Sequence, residues 1–336
     1  MENLPRITSV ATYTPKNKIL ISDIEKRILE ESTASNLPVS FIRRLTGVES
    51  VYHRSEGEDA SDLAVSAAKK ALGHAGLKPS NIDLVIFASA SQDLIEPATA
   101  HIVSSKLGST NAAVMDVKNA CNSFLNAIQV ADAFIATGQY ERVLIASGET
   151  PSMATRWNNK TKDQFTRSFA GFSMSDAGAA MVISRDSVKG IHKVRFAANS
   201  DKWSVGTLKM GGSMAPRDIE ATYFDMDGSK LYEAFLALGP EILNSTLLET
   251  NRTWDDMEFI AMHQISHPYL TSICETLGLP EEKVIPTIKD YGNVASVSLP
   301  LQLEVAMETG RVGLGDDFAF VGFGGGISTG LGVFTL

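Results

Sequence analysis

The sequence predicts an α/β fold made of two similar halves that face each other. Short apolar runs rich in β-branched residues alternate with longer helical stretches along its 336 residues, an order typical of buried strands joined by helices. The same order of elements occurs twice, once in each half of the chain. The two copies follow each other without a low-complexity linker.

The strand and helix candidates follow each other in the order that such a fold requires. Strands are predicted at Asp83 to Ser89, Ala113 to Val117, Arg142 to Ser147, Ala179 to Ser184, Glu258 to Met262 and Phe318 to Phe323, with a final strand at Ser328 to Leu336. Helices are predicted at Ala60 to Ala75, Thr99 to Leu107, Cys121 to Thr137, Ser229 to Glu249, Pro268 to Leu277 and Ser298 to Thr309. The helix that opens at Cys121 is apolar on most faces, which indicates that it is buried.

The internal repeat relates two positions that precede buried helices. In the first half Cys121 precedes a helix that ends at Gly138, and in the second half Asn293 precedes a helix that ends at Gly310. The separations agree, since 293 − 121 = 172 and 310 − 138 = 172. Because ligands of α/β folds bind at helix N-termini beyond the carboxyl ends of strands, we expect both positions to face one central cavity.

The repeat divides the chain into an N-terminal half, 1–185, which carries the candidate Cys121, and a C-terminal half, 186–336, which carries the candidates His263 and Asn293.

Composition excludes several other classes of protein. A net charge of −9 without a basic stripe argues against a nucleic-acid partner. The start has no signal-peptide pattern and no apolar run reaches the ~20 residues of a membrane span, so a soluble cytoplasmic protein is expected.

Cys121 is the first candidate for chemistry. The chain has only two cysteines, too few for a disulfide framework or a thiolate metal cluster, so no metal is expected. A thiol in the first turn of a buried helix has free amide donors and the positive end of the helix dipole beside it, which favours a thiolate nucleophile. The alternative, a cysteine that only packs in the core, has about even odds from these local features.

His263 and Asn293 are weak candidates alone and stronger together. His263 ends a predicted strand, where a histidine is more often a structural core residue, and Asn293 follows a glycine in a typical turn pair. With Cys121 they lie at corresponding points of a duplicated fold. Cysteine, histidine and asparagine suit attack on a thioester, proton transfer and oxyanion stabilisation.

Two further features have a structural and a functional interpretation each. The stretch Gly322 to Gly330 is not a dinucleotide fingerprint, because a strand and no helix follows it; it is either a plain turn or a backbone amide donor near a reacting carbonyl. Glu96, before Pro97, is either a solvated loop carboxylate or, if buried, a general base with a raised pKa.

These residues resemble the β-ketoacyl-acyl-carrier-protein synthase III branch of the thiolase superfamily over nearly the whole chain. The shared segments are Leu45 to Val48 (LTGV), Asn119 to Cys121 (NAC), Ser175 to Ile183 (SDAGAAMVI), His263-Gln264, Tyr291 to Asn293 (YGN) and Gly322 to Gly326 (GFGGG). The resemblance implies a homodimer of five-layered α-β-α-β-α subunits. It implies no cofactor, with acyl-coenzyme A or acyl carrier protein delivering the substrates.

The resemblance also assigns roles to the candidates. Cys121 accepts an acyl group, the backbone amides of Cys121 and Gly325 hold the oxyanion, and His263 with Asn293 stabilises the carbanion of a second thioester in a Claisen condensation. The positions where the fatty-acid initiator has a tryptophan and two arginines for coenzyme A align with Phe41, Leu45 and Pro268.

The segment from Ser91 to Gly108 is more similar to the branch that condenses two long acyl thioesters, the head-to-head thiolase of olefin biosynthesis and pyrone-forming ketosynthases. There a glutamate before proline reaches into the pocket of the other subunit as a base, which implies this role for Glu96. The sequence predicts condensation of two long-chain or β-keto acyl thioesters. The alternatives are a decarboxylating synthase that uses malonyl-acyl carrier protein and an inactive structural homologue.

Overall fold

The computed structural model describes residues 4–34, 37–38 and 40–336. The strands are β1 (Leu4–Tyr13), β2 (Asn17–Leu20), β3 (Ser50–His53), β4 (Leu84–Ala88), β5 (Ala113–Val117), β6 (Arg142–Glu149), β7 (Ala177–Asp186), β8 (Ile191–Ala198), β9 (Gly206–Thr207), β10 (Asp225–Met226), β11 (Phe259–Met262), β12 (Asp317–Gly324) and β13 (Ser328–Thr335). The α-helices are α1 (Ile21–Glu31), α2 (Phe41–Thr46), α3 (Ala60–His74), α4 (Thr99–Leu107), α5 (Ser123–Ala136), α6 (Lys162–Ser168), α7 (Gly228–Leu236), α8 (Glu241–Glu249), α9 (His267–Leu277), α10 (Ile288–Tyr291) and α11 (Ser298–Glu308).

Two large sheets repeat one strand order. The first sheet has the order β1-β7-β6-β4-β5, in which only the β6-β4 and β4-β5 pairs are parallel. The second has the order β8-β13-β12-β11, in which only the β12-β11 pair is parallel. A single parallel bridge from Ile260 to Val284 stands where the first sheet has β5. The halves 1–185 and 186–336 as domains of their own stay a prediction.

Helices α5 and α11 lie between the two sheets. Phe124 and Leu125 of α5 and Leu299 of α11 share one buried cluster with residues of both sheets, including Ile86 and Phe320. Glycines in β12 and β13 let α5 approach the second sheet closely: a Cβ added to Gly330 or Gly332 would lie 3.1 Å from a methyl carbon of Leu125. The predicted burial of the helix after Cys121 is confirmed.

The outer helices complete five layers. Helices α3 and α4 cover the far face of the first sheet in a second cluster, and α7, α8 and α9 cover the far face of the second sheet in a third. Because α3 lies directly on strands β6 and β7, a Cβ at Gly148 would fall 1.8 Å from the carbonyl oxygen of Ala60. No helix in the described part of the chain is long and apolar enough to cross a bilayer.

The predicted strands and helices are present, with two differences. The single helix predicted from Ser229 to Glu249 is wrong, because the chain forms α7 and α8 with a break between them. At the break Gly239 has φ +65° and Pro240 has no amide hydrogen for a helical bond. Strands β1 and β8, which carry polar side chains among the apolar ones, were not among the predicted strands.

Candidate active site

Cys121 lies in a tight turn between β5 and α5, not in the helix as predicted. The helix begins at Ser123, and Ala120 has a left-handed backbone with φ +48°. The Ser123 hydroxyl donates to the carbonyl oxygen of Ala120 at 2.7 Å and accepts from the amide of Asn119 at 2.8 Å. A side chain on a positive-φ alanine is strained, and these bonds hold the turn that presents Cys121.

The glycine-rich end of β12 packs against this turn. A Cβ at Gly324 would lie 3.0 Å from the carbonyl oxygen of Asn119, so no larger residue fits there. Gly325 stands opposite Ala120, with 3.8 Å between its ideal Cβ position and the Ala120 Cβ. This close approach brings the backbone of Gly325 to the turn that carries Cys121, the arrangement that an oxyanion hole of two backbone amides requires.

The predicted thiolate at Cys121 is wrong for the free protein. Burial raises the pKa of the Cys121 thiol to about 12, and the carboxylate of Glu149 adds to the rise. The backbone amide of Cys121 itself acts in the opposite direction but does not compensate. The thiol therefore keeps its proton at neutral pH and needs a base when it attacks.

His263 can be that base. It is 3% exposed at the end of β11, its amide donates to the carbonyl oxygen of Val321 at 3.0 Å, and its Nδ1 lies 3.1 Å from the Ser298 hydroxyl. Burial lowers the pKa of His263 to about 4, so the imidazole is neutral at pH 7. A serine hydroxyl can donate or accept, and Nε2 can therefore either take a proton or donate one.

Asn293 is held with its amide nitrogen free to donate. Its side-chain oxygen accepts from the amide of Ala295 at 2.9 Å, and its backbone bonds to Ser173 and Ser175. The bond to Ala295 requires the left-handed backbone of that residue, φ +49°. With its oxygen occupied, Asn293 can offer two N–H groups to a developing negative charge.

Three residues before each buried helix starts, an alanine has a positive φ: Ala120 before α5 and Ala295 before α11. Their separation is 295 − 120 = 175, three more than at the helix ends, because α5 has 14 residues and α11 has 11. The residue that corresponds to Cys121 is therefore Ser296, and the predicted equivalence with Asn293 is wrong by three residues.

Glu149 joins the two halves beside Cys121, and the sequence analysis missed it. It is 1% exposed at the end of β6, and its carboxylate accepts from the Ser296 hydroxyl and from the amides of Ala90 at 2.9 Å and Ser91 at 3.1 Å. The signal that could have revealed it is an acidic residue at the end of an otherwise apolar strand.

Comparison with known proteins identifies the family of this chain. The profile of the family described as 3-oxoacyl-[acyl-carrier-protein (ACP)] synthase III matches residues 115–201, and the profile of its C-terminal part matches residues 247–336. A β-ketoacyl-[acyl-carrier-protein] synthase III of Clostridium perfringens is 31% identical over 100% of both chains. The chain belongs to the 3-oxoacyl-[acyl-carrier-protein] synthase III family. It is an acyltransferase of the ketosynthase type.

Two solved structures share the fold of this chain. The synthase III of Aquifex aeolicus has a TM-score of 0.85 and is 26% identical, over 99% of this chain and 100% of its own. OleA of Xanthomonas campestris, in a crystal with lauric acid and lauroyl-CoA, has a TM-score of 0.89 and is 22% identical over 100% of both chains. The predicted thiolase fold is confirmed.

The position of Glu96 differs from that of the other candidates. In the single chain Glu96 is exposed, and it has no hydrogen bond or ion pair with any described residue. Its neighbours Leu94 and Ile95 are 51% and 74% exposed. The ends of this loop are fixed, since Ser91 bonds to Glu149 and the Asp93 amide donates to the Thr99 hydroxyl at 3.3 Å.

Two of the three positions that depart from the fatty-acid initiator, Phe41 and Pro268, have structural roles here, whereas Leu45 is 52% exposed. Phe41 is fully buried, and its ring contacts those of Phe165, Phe169 and Phe172, so it cannot stack on a ligand. Pro268 lies in the first turn of α9, where a proline is favoured. No group of side chains suited to hold a metal ion occurs among the described residues.

Proposed function

We propose that this enzyme joins two acyl thioesters, long-chain or β-keto, by a Claisen condensation through an acyl group on Cys121. In this proposal it acts as a homodimer, and Glu96 of the partner subunit is the base. The observation that carries the proposal is the arrangement of a protonated Cys121, a neutral His263 and an oriented Asn293 around the starts of two buried helices.

Acylation is the first step. The Cys121 sulfur bonds to the carbonyl carbon of the first thioester, the bond from that carbon to the leaving sulfur breaks, and the thiol proton passes through His263 to the leaving thiolate. The backbone amides of Cys121 and Gly325 stabilise the oxyanion. Since both thiol and imidazole are neutral at rest, proton transfer accompanies the attack.

Condensation is the second step. Glu96 of the partner subunit removes a proton from the α-carbon of the second thioester, whose enolate oxygen accepts hydrogen bonds from His263 and Asn293. The α-carbon bonds to the acyl carbon on Cys121, and the carbon-sulfur bond to Cys121 breaks. The sulfur regains a proton from Glu96, and a β-keto thioester leaves.

The surroundings of Glu96 support a role in a second subunit. A carboxylate without a hydrogen bond or ion pair among the described residues, next to the exposed Leu94 and Ile95 on a loop with fixed ends, suits insertion into a partner. A carboxylate that a pocket shields from water is a stronger base than one in solution.

A second candidate function is a decarboxylating synthase that uses a malonyl thioester. The 31% identity to a named β-ketoacyl-[acyl-carrier-protein] synthase III favours it. There the loss of carbon dioxide generates the carbanion, so Glu96 is not needed, while Cys121, His263 and Asn293 keep their roles.

Glu96→Gln separates the two functions. The first predicts that this variant acylates Cys121 in a single turnover at the wild-type rate but loses condensation of two long acyl thioesters by a factor of about 10² or more. Glu96→Asp is the matched control that keeps the charge and restores part of the rate. Unchanged condensation in Glu96→Gln, with absolute dependence on a malonyl thioester, would select the second function.

Subunit mixing tests the composite site. We expect that Cys121→Ala and Glu96→Gln homodimers are both inactive in condensation. A mixed dimer has one site with an intact Cys121 from one subunit and an intact Glu96 from the other, so random mixing restores about a quarter of the wild-type rate. No recovery in verified mixed dimers would contradict action across subunits.

A further inference from the structure

Tyr269 has a buried hydroxyl that no described protein group satisfies. The residue lies in the first turn of α9 and is 7% exposed, and its hydroxyl has no hydrogen-bond partner among the described residues. Its ring is held by the rings of Tyr232 at 5.8 Å, Phe235 at 6.5 Å and Phe323 at 6.2 Å. An unpaired buried hydroxyl destabilises the folded protein, so a phenylalanine would fit this cluster better.

A second unpaired hydroxyl lies on the same side of the second sheet. Thr329 is 1% exposed, and its Oγ1 has no partner among the described residues. Thr329 is paired with Phe323 across β12 and β13, and cross-strand partners point to the same face. Tyr269 and Thr329 therefore both neighbour Phe323, which belongs to a largely apolar cluster.

Tyr269 and Thr329 both neighbour the strand end that packs against the Cys121 turn. The residues that follow Phe323, Gly324 and Gly325, touch the turn that carries Cys121. Burial raises the pKa of Tyr269 far above its ordinary value, and the nearby Tyr232 and Cys121 add to the rise. Tyr269 therefore lies within electrostatic reach of the nucleophile and remains a hydrogen-bond donor.

We propose that the acyl chain which Cys121 accepts is a 3-oxoacyl chain, and that the Tyr269 and Thr329 hydroxyls donate to its C3 carbonyl oxygen. This inference rests on the proposed function. The thioester carbonyl oxygen is bound by the oxyanion hole, so the two hydroxyls need a different oxygen on the acyl chain. The next carbon at which acyl thioesters commonly carry an oxygen is C3. A carbonyl oxygen has two lone pairs and can accept from both hydroxyls, whereas a saturated chain leaves both unpaired.

The test measures initial rates of Cys121 acylation by intact-protein mass spectrometry. Three coenzyme A thioesters of equal chain length are compared: 3-oxoacyl, 3-hydroxyacyl and saturated. Wild type is expected to react with the 3-oxoacyl chain at least about tenfold faster than with the saturated chain, and Tyr269→Phe is expected to lower this ratio about tenfold. Thr329→Val is expected to lower it in the same direction.

Tyr232→Phe is the matched control, because the Tyr232 hydroxyl bonds to Ser272 within the same cluster. It is expected to leave the ratio unchanged and to lower the melting temperature, whereas Tyr269→Phe keeps or raises the melting temperature of the free protein. A ratio that Tyr269→Phe does not change, or a faster reaction with the 3-hydroxyacyl chain, overturns this inference alone. Failure of every thioester to label Cys121 overturns the proposed function as well.

Discussion

The starts of the two buried helices have the same backbone and different chemistry. Ala120 and Ala295 share a left-handed conformation, three residues before α5 and α11. The residue that follows is Cys121 in one half, partly exposed, and Ser296 in the other, fully buried and bonded to Glu149 and Ser147. In the proposed function, the duplicated turn holds the nucleophile in one half, whereas in the other half it connects the two halves of the chain through Glu149.

In the proposed function, the first half therefore supplies the attacking sulfur and the second half supplies the groups that stabilise negative charge. In the second half the polar groups to which we assign stabilisation are held on either side of the turn, Asn293 before it and His263 by Ser298 after it. The serine at the turn is occupied by a carboxylate and is not free to react. The four predictions below test whether the two turns are as unequal as this geometry requires.

The largest effect is expected from moving the thiol to the other half. The double variant Cys121→Ser with Ser296→Cys should lose acylation by a factor of about 10³ or more, because the new thiol is buried beside the Glu149 carboxylate. Ser296→Cys alone should keep acylation at Cys121. Mass spectrometry of the digested protein locates the acyl group, and acylation of residue 296 in either variant would make the turns interchangeable.

Removing the charge of Glu149 is expected to activate Cys121. Glu149→Gln keeps an acceptor oxygen for Ser296 but no longer opposes the thiolate, so the pKa of Cys121 falls. The rate of alkylation by iodoacetamide at pH 8 should rise about tenfold, and its pH profile should move to lower pH. A melting temperature near that of wild type would show that the contact between residue 149 and Ser296 is kept. A slower alkylation would contradict the assigned electrostatic role.

The pH dependence of acylation depends on His263. Because burial lowers the pKa of His263 to about 4, the imidazole stays neutral and able to accept a proton down to that pH. The single-turnover rate of acylation is expected to be level from about pH 5 to 8 and to fall only as pH drops through about 4. A fall centred near pH 6.5, the ordinary value for histidine, would show that His263 is not the buried base described here.

The smallest effects compare the serines that begin the two helices. Ser298→Ala removes the partner of His263 Nδ1 and should slow acylation about fivefold, the loss of about 1 kcal/mol from one hydrogen bond. Ser123→Ala removes two bonds within the Cys121 turn and should lower the unfolding free energy by about 1–2 kcal/mol. Single-turnover acylation rates and urea unfolding are measured for both variants. If both variants lost the same acylation rate and the same unfolding free energy, the two serines would not have the different roles assigned here.

Much of the fold follows from local patterns in the sequence. Strand β5 and helix α4 have the bounds that the sequence predicts. The break between α7 and α8 was missed although Gly239-Pro240 marks it, since the apolar pattern continues through the break.

The site was less predictable than the fold. Cys121, His263 and Asn293 could be selected because they lie in segments shared with a known family. The protonated state of Cys121 could not, because it depends on burial and on Glu149, 28 residues away in sequence, since 149 − 121 = 28. The partnership of Glu149 with Ser296 likewise arises only when the two halves pack together.

Intact-protein mass spectrometry of the wild-type enzyme and Cys121→Ala, each incubated with long-chain acyl-coenzyme A, tests the central claim most directly. The account predicts that wild type gains the mass of one acyl group, which peptide analysis assigns to Cys121, and that Cys121→Ala gains none. An unmodified wild-type protein, or equal labelling of both proteins, would contradict it.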